Sequence, residues 1–211
     1  MKKSIVLFLF ILCQQFVFGQ NFSVGPILGL NYSNLRGDNT DNSSGKLGFA
    51  GGIFANYSIT DDFGLTGQLL YSQQGAKFEV LGTETSTNFN YLQVPILGAY
   101  YFGKNNFKPK VLLGPQIGFL LSAKDKDGND LDPNGTLLET TDFGATLGVG
   151  FNYNLAPKIW LNADVRYNLG LTDLDKGTTK LYNSNLALMV GVSIGFKDYD
   201  MKSGSFSKNK K

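Results

Sequence analysis

Apolar and polar side chains alternate over thirteen residues, from Ile159 to Leu171, and this feature most limits how the chain can fold. Every second residue in the segment is apolar, and the residues between them are mostly polar. A period of two places the two sets on opposite faces of an extended strand. The length suits a tilted strand that crosses a bilayer, which needs about 9–11 residues. The segment therefore predicts a membrane-spanning β-strand.

The same alternation recurs along the chain, and the connections between the alternating segments differ in length. Short connections at 60–62, 103–109 and 155–158 alternate along the chain with long polar connections at 35–46, 79–87, 122–140 and 172–184. Short periplasmic turns, long outer loops and an even strand number are typical of outer-membrane barrels. We therefore predict an all-β fold, an eight-stranded antiparallel up-and-down transmembrane β-barrel. The predicted strands are roughly 22–34, 47–59, 63–78, 88–102, 110–121, 141–154, 159–171 and 185–196.

Proline and aromatic residues add detail to these strands. Pro95 removes a hydrogen-bond donor from the fourth strand, so we expect a bulge or another irregularity near it. Aromatic residues cluster at strand ends, as expected of girdles at the two membrane interfaces. Those predicted near the short turns are Tyr57, Phe63, Tyr100, Tyr101, Phe102, Phe151, Tyr153 and Phe196. Those predicted near the long loops are Tyr32, Phe49, Tyr71, Phe89, Tyr91, Phe143 and Tyr167.

The two ends of the chain differ from the alternating body. Lys2 and Lys3, followed by an apolar run over 5–12 and a small residue at Gly19, predict a cleaved export signal over 1–19. The barrel is then predicted over 20–196. The last segment, 197–211, is rich in Lys, Ser and Gly, a composition typical of a disordered tail. The alternative interpretation is that this tail contacts an acidic periplasmic partner.

Composition argues against several functional classes. Removing Lys2 and Lys3 with the signal leaves 17 of the 19 basic residues against 17 acidic ones, and no basic stripe predicts a nucleic-acid partner. The chain contains no histidine, so serine or cysteine nucleophiles activated by histidine and imidazole-bound metals are excluded. We expect no cofactor and no enzymatic activity.

The polar face of the strands decides between a membrane barrel and a soluble one. That face is rich in Gly, Ser, Thr, Asn and Gln and carries very few charges. A face exposed to water would carry many Lys and Glu residues, whereas small polar side chains fit a narrow lumen. The pattern favours a barrel in the outer membrane of a Gram-negative bacterium, with its apolar face against lipid. The alternative is a soluble periplasmic lipocalin-like binding barrel.

Three segments resemble the PorT-type outer-membrane β-barrel family. They are 91–97 (YLQVPIL), 113–121 (LGPQIGFLL) and 164–171 (DVRYNLGL). The resemblance extends over nearly the whole chain after the signal, and it implies a single-domain barrel behind a signal peptide. The group that gives the family its name is associated with a protein-secretion apparatus. The resemblance therefore implies one candidate role, as an accessory component of a secretion or transport assembly.

Asp164 and Arg166 form a charged pair in the middle of the seventh predicted strand. Two residues apart, they point to the same face, which we predict to be the lumen. A selectivity or ligand-binding site in a channel is one interpretation. We favour a structural hydrogen-bonding network that plugs the barrel, because eight strands leave little room for a pore and each buried charge gains a partner. The other predicted members are Gln68, Gln93, Gln116 and Asn162.

A loop at 125–132 resembles the start of a calcium-binding loop. Asp125, Asp127 and Asn129 offer oxygen ligands at suitable spacing. Asp130 replaces the glycine that such loops need for their turn, and Thr136 replaces the bidentate glutamate. We therefore favour a solvated loop, with calcium binding as the alternative.

These observations predict a non-enzymatic outer-membrane barrel with a structural or partner-binding role. Outer-membrane lipid is the expected surrounding, and envelope proteins are expected to contact the loops or the tail. A narrow passive pore is a further alternative.

Overall fold

The computed structural model describes residues 22–38, 40, 43–80, 83–103, 106–196, 199–200 and 205–206. The predicted signal over 1–19 lies outside the described residues, as does most of the tail after Phe196. No helix in the described part of the chain is long and apolar enough to cross a membrane.

The described residues form β-strands in the order expected from the alternating pattern. Nine strands belong to one sheet, and two short strands follow it. The strands are β1 Phe22–Gly37, β2 Ser43–Ser58, β3 Phe63–Gln74, β4 Ala76–Val80, β5 Thr83–Tyr101, β6 Phe107–Asp125, β7 Thr141–Ala156, β8 Ile159–Gly170, β9 Leu181–Gly195, β10 Tyr199–Asp200 and β11 Ser205–Phe206.

Eight of these strands close into a barrel, which confirms the predicted fold. Each pairs antiparallel with its neighbours in the order β1-β2-β3-β5-β6-β7-β8-β9. The barrel closes where β9 pairs with β1, from Ser23 opposite Gly195 to Gly37 opposite Leu181. Every backbone donor and acceptor row along the wall therefore faces another strand, as a hydrocarbon environment requires.

The ninth strand, β4, was not predicted. It lies beyond the barrel wall on the long-loop side, where Ala76 pairs with Gly45 of β2 and Phe78 pairs with Thr85 of β5. The predicted loop over 79–87 is therefore wrong, because most of it belongs to a hairpin of β4 and β5.

The third predicted strand, 63–78, is also wrong as one continuous strand, because it breaks at Gly75. The backbone of Gly75 has a φ of 140°, a conformation that strongly favours glycine. A Cβ atom at this position would lie 2.1 Å from the carbonyl oxygen of Thr87. The break lets the chain leave the barrel wall and form β4.

The irregularity expected near Pro95 takes two forms. The pairing of β5 with β3 is interrupted between the pairs Gly67–Ile96 and Leu70–Gln93, without a change of register. The register shift itself lies in the β5–β6 pair, between Asn90 and Tyr91.

The outward face of the barrel is apolar, as predicted. Its most exposed large side chain, Leu47, is 73% exposed. This face does not support the lipocalin-like alternative, whose outer surface would be polar. The prediction is wrong for three girdle residues, Phe89, Tyr91 and Tyr101, because their side chains are buried inside the barrel. These three residues lie on β5, the fourth predicted strand, which is apolar on both faces, so alternation there did not decide which side is outside. The exposed aromatic residues include Tyr32, Phe49, Tyr57, Phe63, Tyr71, Tyr100, Phe102, Phe143, Tyr153, Tyr167 and Phe196.

The lumen is filled by side chains in alternating apolar and polar groups. Its three apolar clusters lie at different heights. Near the middle, on β1, β2, β3 and β9, are Ile27, Ala50, Phe54, Leu70, Ala187 and Met189. Towards the short turns are Leu97, Ala99, Tyr101 and Leu112. At the long-loop end are Leu35, Ala76, Phe89, Tyr91, Ala123 and Leu174.

The tail after Phe196 contains a short backbone pairing. Tyr199 lies opposite Phe206, and Asp200 lies opposite Ser205. The expected disorder of the tail stays a prediction.

A buried polar network and a closed mouth

Arg166 and Asp164, both on β8, are in direct contact inside the lumen. The Arg166 Nε donates a hydrogen bond to Asp164 Oδ1 at 2.7 Å, and Arg166 Nη2 lies 2.6 Å from the same oxygen. The Arg166 Nη1 donates across the barrel to Gln68 Oε1 at 2.8 Å. This last bond joins β8 to β3, which are not neighbours in the wall.

Lys110 of β6 is a third charged member, and the sequence analysis missed it. Its Nζ donates to Asn152 Oδ1 at 2.8 Å and lies 3.7 Å from Asp164 Oδ2. The sequence did contain an indication, because Lys110 and the inward residue Gln116 lie an even number of positions apart and so point to the same face of the strand. It was overlooked because it stands at the edge of its predicted strand, beside a predicted turn.

A glycine on β7 brings Lys110 and Asp164 together. Gly150 lies opposite Lys110 on one side and opposite Asp164 on the other. A Cβ atom on Gly150 would lie 2.5 Å from the Asp164 Cβ and 2.2 Å from the Ala163 carbonyl oxygen. The absence of a side chain therefore allows Lys110 to reach over β7 to the carboxylate.

The remaining predicted members face the lumen but belong to separate groups. Asn162 accepts from Asn56 at 3.3 Å and donates to Ser193 at 3.2 Å. Gln116 accepts from Thr146 at 3.1 Å. Gln93 is buried, and the described residues show no hydrogen bond between it and the other five predicted members.

A second polar group lies nearer the long loops. The Asn183 Nδ2 donates to Asp142 Oδ2 at 2.8 Å and to the Tyr91 hydroxyl at 3.1 Å. Asn183 lies beside Gly170 of β8, because a Cβ atom built on Gly170 would be 3.2 Å from the Asn183 Cβ. The side chain thus crosses β8 in the same way that Lys110 crosses β7.

Two long loops close the mouth above this group, and we call them the mouth loops, 126–140 and 171–180. The Glu139 N donates to the Leu174 carbonyl at 2.8 Å, and the Lys176 N donates to the Leu137 carbonyl at 3.0 Å. Leu174 is 2% exposed and belongs to the apolar cluster at the long-loop end. Leu131 and Leu138 pack against the same cluster.

Asp125, the first candidate calcium ligand, is engaged within its own loop. The Asp125 carboxylate accepts from the Asp127 N at 2.8 Å and from both the N and Nδ2 of Asn129 at 2.9 Å. The hydrogen bond from the Asn129 side chain lowers the pKa of Asp125. Within the described residues, no group of three or more His, Cys, Asp or Glu side chains is placed to hold a metal ion.

Comparisons with known proteins agree with this architecture. A family model described as "Outer membrane protein beta-barrel domain" matches residues 18–176, which is more than half of the chain. No sequence among the curated proteins matches.

Among solved structures, Neisserial surface protein A is similar with a TM-score of 0.52 and 20% identity, over 83% of this chain and 97% of that one. The outer membrane protein OprG from Pseudomonas aeruginosa is similar with a TM-score of 0.50 and 14% identity, over 83% of this chain and 95% of that one. At these identities the likeness concerns the fold alone. The chain belongs to the outer membrane protein beta-barrel domain family and is a protein of the Gram-negative outer membrane.

Proposed function

We propose that this protein is a non-enzymatic barrel that presents the mouth loops as an ordered surface to a partner outside the cell. The observation that carries the proposal is the packing of the mouth loops on each other and on the lumen. Loops that only connect strands need no such fixation, and binding surfaces gain affinity when they are ordered before they meet their partner.

The hydrogen bonds of loop 126–140 support this proposal. The Asp132 carboxylate accepts from the backbone N of Thr136, Leu137 and Leu138 at 2.8, 3.1 and 2.9 Å. The Lys176 Nζ donates to the Gly135 carbonyl at 3.0 Å and so fastens the second mouth loop to the first. The tips of both loops remain exposed to solvent.

The buried polar network fits the same proposal as a plug that fixes the barrel wall. The bond from Arg166 to Gln68 crosses the lumen, and the ion pair of Lys110 with Asp164 spans three strands. A barrel with its centre bridged in this way and its mouth covered by loops would support a surface rather than conduct solutes.

Site-specific crosslinking in whole cells tests the proposal. The single natural cysteine, Cys13, is replaced by serine, and a photoactivatable crosslinker is attached at Asp127→Cys in a mouth loop. The matched control is Pro157→Cys, which is exposed in the short turn between β7 and β8. We expect higher-mass adducts from Asp127→Cys alone. Adducts from Pro157→Cys without any from Asp127→Cys would contradict the proposal.

A second candidate role is that of an accessory component of an outer-membrane secretion or transport assembly. Its support is the resemblance of segments 91–97, 113–121 and 164–171 to PorT-type barrels. In this case the partners are other envelope proteins, reached through the loops or the tail 197–211. Affinity purification of full-length protein and of protein ending at Phe196 tests it. Loss of co-purifying envelope proteins on truncation would assign the contact to the tail.

A further inference from the structure

The Lys110–Asp164–Arg166 cluster carries more positive than negative charge. Two cations share one carboxylate, with Lys110 Nζ at 3.7 Å and Arg166 Nη2 at 2.6 Å from its oxygens. The three residues are only 6%, 2% and 4% exposed in the order Lys110, Arg166, Asp164. The cluster as a whole is therefore a buried site with one uncompensated positive charge.

The surroundings of the cluster do not supply the missing negative charge. Its other hydrogen-bond partners, Gln68 and Asn152, are neutral amides. The other buried acid among the described lumen residues, Asp142, is bonded to Asn183 in the separate group near the long loops. Lys108 is buried two residues from Lys110 on the same face, and the carboxylates of Asp61 and Asp62 interact electrostatically with Lys108.

The two cations also have donors to spare. A lysine ammonium has three N–H groups and an arginine guanidinium has five. The Nζ of Lys110 contacts one oxygen of Asn152 and one of Asp164, and the Nη2 of Arg166 is buried without a hydrogen bond of good geometry. Members of two apolar clusters adjoin the charged residues, with Met189 opposite Asp164 and Tyr101 opposite Lys110, so an unpaired charge there is costly.

We propose that the Lys110–Asp164–Arg166 cluster holds a small inorganic anion, of which chloride is the simplest, inside the lumen. The anion accepts hydrogen bonds from the unused N–H groups of Lys110 and Arg166 and neutralises the cluster. The narrow, filled lumen favours a monatomic anion over sulfate or a larger organic anion.

The test uses purified full-length protein, folded in a non-ionic detergent. The line width of the chloride NMR signal is measured with and without protein, at constant ionic strength set with sodium gluconate. Bound chloride exchanging with free chloride broadens the signal, and we expect broadening that saturates with concentration. Bromide is expected to compete with chloride, and sulfate is expected to compete much less.

Two variants move the result in opposite directions. Lys110→Met leaves one cation with one carboxylate, so we expect chloride binding to weaken by about tenfold or more, as removal of a close unit charge implies. Asp164→Asn leaves two cations without a carboxylate, so we expect tighter binding. Lys126→Met removes an exposed lysine of a mouth loop and should leave binding unchanged.

Two outcomes would overturn the proposal. If wild-type protein leaves the chloride line width unchanged, the cluster binds no chloride and is neutralised in another way, for example by an uncharged Lys110. This measurement does not depend on the folding of any variant. Broadening that Lys110→Met and Lys126→Met reduce equally shows binding at the protein surface.

Discussion

At the scale of single residues, glycine decides which side chains meet in the lumen. Gly150 lies between Lys110 and Asp164 of the flanking strands, and Gly170 lies beside Asn183, so each leaves room for a polar side chain to cross its strand. An inward glycine therefore allows a side chain from one neighbouring strand to cross over it and contact a residue on the strand beyond.

Gly150→Ala is expected to destabilise the folded barrel by about 2 kcal/mol or more, because a new Cβ would collide with the backbone of β8. That Cβ would lie 2.2 Å from the Ala163 carbonyl oxygen, which has no freedom to move aside. Urea unfolding in detergent measures the change. The matched control is Gly67→Ala on the outward face, where a Cβ would meet nothing within 4 Å. Equal stability of the two variants would show that the crossing at Gly150 is not tight.

The inward orientation of Asp164 and Arg166 follows from strand alternation alone, but their partners do not. Lys110 and Gln68 come from β6 and β3, and only the register of the intervening strands places them beside β8. A single sequence contains no register information beyond turn lengths and the alternation of faces. The sequence therefore allowed us to predict which polar residues face the lumen. It did not allow us to predict how they divide into separate hydrogen-bonded groups.

At the scale of elements, the strands were predictable and the segments beyond the wall were not. The seventh predicted strand, 159–171, agrees with β8 to within a residue because its alternation is uninterrupted. Segment 76–87 alternates less clearly, and its hairpin depends on the backbone conformation of Gly75. The mouth loops carry no periodic pattern, so their packing on Leu174 could not be read from sequence.

Leu174 is expected to fasten the mouth loops to the barrel. Leu174→Asp places a charge in an apolar cluster, which is costly without a partner, so the loops should detach. Trypsin cleavage after Lys126 and Lys176, measured on folded protein in detergent, is expected to accelerate severalfold. The control is Leu137→Asp, whose leucine is mostly exposed in the same pair of loops. A wild-type cleavage rate in Leu174→Asp would show that the backbone hydrogen bonds alone hold the loops.

At the scale of the whole molecule, the assignment of the outward face to lipid has a direct energetic test. Leu147 lies near the middle of β7 and points outward. Leu147→Arg is expected to reduce the free energy of folding into lipid vesicles by about 2–4 kcal/mol, the cost of such a charge at the bilayer midplane.

Leu137→Arg is the matched control for this experiment, because Leu137 has a similar exposure but lies in a mouth loop. It should change the folding free energy by less than about 0.5 kcal/mol, as surface substitutions usually do. A similar cost for both variants would contradict the placement of β7 across the bilayer.

The closure of the barrel between its first and last strands also governs how the protein can fold. Ser23 must find Gly195, so the pairing that completes the wall joins positions near the two ends of the described chain. Contacts of such high sequence separation form slowly, because the loop they close is long. Until β9 arrives, β1 exposes an unpaired edge, which is a site for aggregation. The wall can therefore be completed only once the last strand is present, so a chain that lacks β9 keeps an open edge.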